Sequence, residues 1–153
     1  MNKPITREEL IDLIALEKDV TKVNTSEITD MNCMFFNEKS FNQDISNWDT
    51  SNVTNMECMF QSARLFNQDI SNWDVSNVTN MECIFSNAKL FNQDISNWNV
   101  SKVTNMEWMF CNTPSFTKDI SNWSVLSIEH KLNFFIKNNN NNNFRNSISF
   151  LYY

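Results

Sequence analysis

Polar and apolar residues along this chain follow a pattern that returns every 25 residues. The phrase FNQDISNW stands at Phe41–Trp48, Phe66–Trp73 and Phe91–Trp98, and a degraded copy, FTKDISNW, at Phe116–Trp123. A fixed period of this size marks a stacked repeat protein, because one unit cannot bury its own apolar face and neighbours must share a core. Two shorter periods follow each other inside a unit. Ile70, Trp73 and Val75 occupy positions one, four and six, with Trp73 and Val75 pointing one way and Asp74 the other, as in a strand. Val78, Met81, Ile84–Phe85 and Ala88 then recur with i, i+3, i+4 spacing, which predicts a short helix or 3₁₀ stretch. Parallel strand segments are expected at 20–23, 45–48, 70–73, 95–98 and 120–123. Helical turns are expected near 29–37, 54–63, 79–88 and 104–112.

Before the array, Pro4–Lys18 reads as a helix. Thr6 and Glu9 form a capping-box pair, and Ile5 and Leu10 are placed for a hydrophobic staple. The array starts at Asp19, where DVTKVNTSEITDMNCMF aligns with DISNWDTSNVTNMECMF at Asp44–Phe60, so that Val20 and Val23 replace Ile45 and Trp48. At the far end Ile128 falls on the Val53 column and Phe135 on the Phe110 column. The sequence therefore predicts a capping helix over 1–18, a five-unit repeat array over 19–136 with a degenerate last unit, and an Asn-rich low-complexity tail over 137–153. Asn138–Asn143 has nothing to bury and is expected to be disordered. The predicted fold class is an α/β repeat solenoid of leucine-rich-repeat type, with short parallel strands on one face and short helical turns on the other.

Composition narrows the chemistry. The formal net charge is −6 and the pI about 4.7, which argues against non-specific nucleic-acid binding. Glycine is absent, so Asn is expected to fill the left-handed backbone positions that turns require. Without glycine, no phosphate loop, nucleophile elbow or dinucleotide fingerprint takes its usual form. The single histidine, His130, has no Ser or Cys motif beside it to activate. An enzyme is not expected, nor a cofactor. Met1–Leu16 carries five charged residues and no uncharged apolar stretch, so no export signal is predicted and the chain is expected to stay where it is made.

The repeated block FNQDISNWDVSNVTNM, followed by MF or IF, resembles the repeat of BspA-like leucine-rich-repeat surface proteins, found in bacterial surface proteins, mycoplasma lipoproteins and large DNA viruses. The opening KPITREELIDLI is similar to the lead-in of such arrays. The resemblance covers about residues 3–136. It implies a non-enzymatic repeat protein used for adhesion or protein binding, and a location at the cell surface. The absence of an export signal or lipid-attachment cysteine departs from many members of that family.

Several columns invite a functional reading. Trp48, Trp73, Trp98 and Trp123 would serve as a sugar-stacking ladder if exposed, but the strand register turns them inward. They are expected to form the core with Ile45, Ile70, Ile95 and Ile120 and with Phe60, Phe85 and Phe110. Asp44, Asp69, Asp94 and Asp119 form a carboxylate column expected to cap backbone N–H groups rather than bind calcium. Cys33, Cys58 and Cys83 share a column that Trp108 continues; they are expected to be free thiols, with no bound metal. The outward strand positions Asn24, Asp49, Asp74 and Asn99, flanked by Asn47, Asn72 and Asn97 and by Ser51, Ser76 and Ser101, form the candidate partner-binding face. Asn47, Asn72, Asn97 and Asn122 are also expected to bond to one another as a ladder. The function expected is that of a monomeric scaffold for protein–protein interaction or adhesion, its partner basic and unidentified. The alternative is a structural spacer or display element, or a truncated, inactive copy of a longer repeat protein.

Overall fold

The computed structural model describes residues 3–123. Of the expected fifth unit, 119–123 is described; the remainder, with Ser124, Ile128, His130 and Phe135, and the Asn-rich tail lie outside the described residues. The one helix among them, α1, spans Arg7–Ala15. Thr6 caps it: its side chain accepts from Glu9 N at 3.1 Å, and the Glu9 carboxylate accepts from Thr6 N at 2.9 Å. The helix is shorter than the predicted Pro4–Lys18 at both ends. Pro4 and Ile5 precede the cap, and Pro4 pairs instead with Asn24 in a parallel bridge. At the other end Glu17 turns left-handed (φ 53°), Glu17 N donates to Ile14 O and Lys18 N to Leu13 O. That is the double bond of a Schellman stop, with glutamate where glycine is usual.

The α/β reading of the repeat is overturned. Among the described residues β-structure is limited to isolated parallel bridges, Pro4–Asn24 and the series Asp30–Asn55–Asn80–Asn105, and no helix follows α1. Where strands were expected the chain turns. Trp48 N donates to Ile45 O at 3.1 Å, and Trp73, Trp98 and Trp123 repeat the turn. Where helices were expected, at 29–37, 54–63, 79–88 and 104–112, the backbone bonds divide between two directions. In the second unit the N–H groups of Met56, Cys58, Phe60 and Ser62 donate to the next unit, at Asn80, Glu82, Ile84 and Ser86 O, over 2.8–2.9 Å. The N–H groups of Met59, Gln61 and Ala63 close turns back to Met56, Cys58 and Phe60 O.

An α-helix sends every interior N–H four residues back along its own axis. This chain cannot, because Cys58 (φ 54°) and Ser62 (φ 63°) reverse the backbone hand at the third residue of the turns Met56–Met59 and Phe60–Ala63. Successive four-residue turns place Met56, Met59 and Phe60 on one side. That arrangement reproduces the i, i+3, i+4 spacing of a helix without being one.

The units thus stack by a ladder of alternate amides on one side. On the other, side chains make the links. The indole N–H of Trp48, Trp73, Trp98 and Trp123 donates to Val20, Ile45, Ile70 and Ile95 O in the preceding unit, over 3.0–3.2 Å. Thr25 and Thr50, buried on the column that Val75 and Val100 continue, donate their hydroxyls forward to Asp49 and Asp74 O. Between the two sides lies the core. Phe35, Phe60, Phe85 and Phe110 stack along the array with centroids 5.2–5.8 Å apart. Within the second and third units Phe60 lies 3.9 Å from Phe66 and Phe85 lies 3.8 Å from Phe91. The indole rings, Ile45, Ile70, Ile95 and Ile120 are all buried in this cluster.

A ladder has open ends. In the first unit Asp30 O and Asn32 O hold the places that Asn55 O and Glu57 O hold in the second, but no unit precedes them to supply amides. Arg7, in the first turn of α1, donates Nε to Asp30 O at 3.2 Å and Nη2 to Asn32 O at 2.6 Å. Its planar fork stands in for two backbone N–H groups. Leu10 and Ile14, from the same helix, cover the apolar end of the core.

Candidate partner-binding face

The outward column is built from turns that the side chain itself closes. Asn24, Asp49, Asp74 and Asn99 each accept, through Oδ1, the backbone N–H two residues on, from Ser26, Ser51, Ser76 and Ser101 at 2.9–3.2 Å. Ser51 adds its hydroxyl to Asp49 Oδ1 at 2.6 Å. These are Asx turns, in which a short polar side chain mimics a backbone carbonyl. Asp49, Asp74 and Asn99 are exposed, while Asn24 is half-buried beside a cleft of about 510 Å³ between α1 and the first unit, lined also by Ile5, Leu13, Lys22 and Val23. With Oδ1 committed to the chain, the second carboxylate oxygens of Asp49 and Asp74 make no hydrogen bond among the described residues.

Asn47, Asn72 and Asn97 flank the column and are exposed, but they do not bond to one another as a ladder; in the same column Asn122 instead reaches back to a backbone carbonyl, donating Nδ2 to Ser96 O at 3.0 Å. Side-chain ladders occur elsewhere. Asn42, Asn67 and Asn92 accept through Oδ1 from the N–H of Asn67, Asn92 and Thr117, and Asn52 and Asn77 reach back to Ser26 and Ser51 O.

A second carboxylate column uses the same turn. Asp44, Asp69, Asp94 and Asp119 accept from the N–H of Ser46, Ser71, Ser96 and Ser121. They cap a turn rather than a strand end. Hydrogen bonds from the serine two residues on hold all four carboxyls below the usual aspartate range. Asp74 is lowered in the same way by Ser76, with a smaller contribution from Lys102. Asn55, Asn80 and Asn105 make the third Asx turn of each unit, accepting from Glu57, Glu82 and Glu107 N. The spacings D-x-S and N-x-E recur visibly in the sequence and are the signal by which these turns could have been found.

The cysteine column sits at the ladder. Cys33, Cys58 and Cys83, with Trp108, all have φ near 55°, a region costly for side chains of this kind. Asn37, Asn87 and Asn112, with Ser62, occupy the other left-handed column, so Asn replaces glycine at one column of two. Cys33 is exposed, and Cys58, Cys83 and Cys111 are half-buried free thiols. Burial, reinforced by neighbouring thiols and glutamates, pushes Cys58 up to about 12; burial and Glu82 push Cys83 up to about 11. A thiolate nucleophile is disfavoured at both. No described helix is long and apolar enough to cross a membrane.

A tandem-repeat protein whose described residues form one short capping helix and turn-built units is what the geometry defines. Its sequence matches the profile of the family described as Mycoplasma protein of unknown function, DUF285, over residues 8–123 and again over 59–149. The chain belongs to this family. No curated protein and no solved structure matches it.

Proposed function

We propose that this chain is a non-enzymatic interaction module whose Asp49–Asp74 column, flanked by Asn24, Asn99 and the exposed Asn47, Asn72 and Asn97, binds a protein presenting Lys or Arg. The observation that carries the reading is the Asx turn. It fixes each carboxylate by one oxygen and leaves the other to solvent, so the charges are held in place before a partner arrives. Preorganisation of this kind lowers the ordering cost of binding. The resemblance of the repeat to BspA-like surface proteins supports an adhesion role within the same reading.

The turn also dictates the test. Reversal to Lys would remove the cap along with the charge, whereas Asn keeps the cap, as Asn24 and Asn99 do natively. Titration of the full chain with an oligolysine peptide at low and high salt is expected to show salt-sensitive binding. Asp49→Asn with Asp74→Asn should weaken it several-fold and flatten the salt response, with melting unchanged. Unchanged affinity and salt response in the double variant would place the binding site elsewhere.

A further inference from the structure

In a chain of net charge −6, three cations fall on one surface column, Lys39, Arg64 and Lys89, one per unit. The next residue in the second and third units is an exposed leucine, Leu65 at 48% and Leu90 at 49%. The backbone ties these positions together, since Leu65 N donates to Lys39 O and Leu90 N to Arg64 O, each at 3.2 Å. The core does not need these leucines, because Phe66 and Phe91 beside them already fill the inward positions. No carboxylate pairs with the three cations among the described residues; Lys89 Nζ alone has a contact, to Asn112 O at 3.3 Å. The residue before Arg64 and Lys89 is a buried alanine, Ala63 or Ala88, where the first unit has Glu38. The positive column is therefore strongest where the leucines are.

The geometry points to a docking surface for an acidic amphipathic helix of a partner protein, laid along the stack with carboxylates on Lys39, Arg64 and Lys89 and apolar side chains on Leu65 and Leu90. Spacing selects the helix. Backbone-paired units repeat at about 4.8 Å, and the Phe66 and Phe91 rings beside the leucines are 6.1 Å apart. Helical residues three and four apart rise about 4.5 and 6.0 Å, close to the two ends of this interval. Same-side residues of an extended chain are about 6.6–6.8 Å apart and fall progressively out of step. Charge complementarity then excludes a basic helix and favours an acidic one. The surface is distinct from the Asp49–Asp74 column and has the opposite charge preference.

The probe is a stapled helical peptide with Glu and Leu along one stripe, compared with a peptide of the same composition broken by a central proline. Calorimetric titration of the full chain should show saturable binding of the helical peptide alone. Arg64→Glu with Lys89→Glu, and separately Leu65→Ser with Leu90→Ser, should each weaken it about tenfold or more. Arg64→Gln with Lys89→Gln provides a milder variant should the reversal lower the melting temperature. Asp49→Asn with Asp74→Asn, which removes like charge, should not weaken binding of the acidic peptide. Equal binding of the helical and broken peptides would overturn the inference, as would indifference to the charge variants. So would retention of the chain on phosphatidylserine-containing vesicles without any binding of the helical peptide.

Discussion

Replacement of Trp73 tests the side-chain half of the stacking directly. The indole is 4% exposed, lies 6.4 Å from Trp48 and 6.1 Å from Phe60, and donates Nε1–H to Ile45 O at 3.1 Å. Trp73→Ala empties this site and should cost about 3–5 kcal/mol. For a chain of this size that corresponds to a fall in melting temperature of about 6–20 °C. Trp73→Phe keeps a ring in the stack. Ile45 O loses its inter-unit donor but retains the bond from Trp48 N, so the cost should be about 1–2 kcal/mol, one net hydrogen bond plus some lost packing. Asn72→Ala, on the exposed neighbour, should stay within about 0.5 kcal/mol of the parent. Thermal and denaturant melts of the full chain separate these values. Equal stability of the Trp73→Ala and Asn72→Ala proteins would refute the burial of the tryptophan column, and a Trp73→Phe protein as stable as the parent would refute the part given to the indole N–H.

The remaining predictions concern the end cap, the left-handed column and the carboxylates. Arg7→Met should cost about 1.5–3 kcal/mol, since charged donors are withdrawn from Asp30 O and Asn32 O, and Arg7→Lys should recover only part because an ammonium lacks the fork. At exposed Cys33 (φ 54°), Cys33→Asn should be neutral or stabilising by up to about 1 kcal/mol, and Cys33→Val destabilising, as read by denaturant midpoints. The carboxyls of Asp44, Asp69, Asp74, Asp94 and Asp119 are all lowered in the fold, so their contribution is fully present above the unfolded aspartate pKa of about 3.9 and is lost as pH falls through the folded values. Melting temperature should therefore decline below about pH 4, and less steeply in a protein with these residues changed to Asn.

The period, the inward tryptophans and the Thr6–Glu9 cap could all be read from residue order, because each rests on a local pattern or a burial requirement. The backbone path could not. Met56, Met59 and Phe60 have a spacing common to a helix and to consecutive turns, and only the sign of φ at Cys58 and Ser62 separates the two. Cysteine and serine do not advertise a positive φ as glycine does. Ile70, Trp73 and Val75 likewise fit a strand on alternation, but Asp69 and Asp74 each bond the N–H two residues on and fold the segment into turns. Of the candidate face, the exposure of Asp49 and Asp74 followed from alternation, while the fixing of their Oδ1 atoms needed the turn. Arg7 gave no signal at all, since its role depends on carbonyls 23 and 25 residues away.

The ladder of alternate amides is the feature on which the whole arrangement rests, and residue-resolved hydrogen exchange on the full-length chain measures it most directly. The N–H groups of Met56, Cys58, Phe60 and Ser62, and of Met81, Cys83, Phe85 and Asn87, donate across units and should be strongly protected. Those of exposed Asn47, Asn72 and Asn97 have no such partner and should exchange rapidly. Protection at Asn47, Asn72 and Asn97 together with rapid exchange at Met56, Cys58, Phe60 and Ser62 would contradict it.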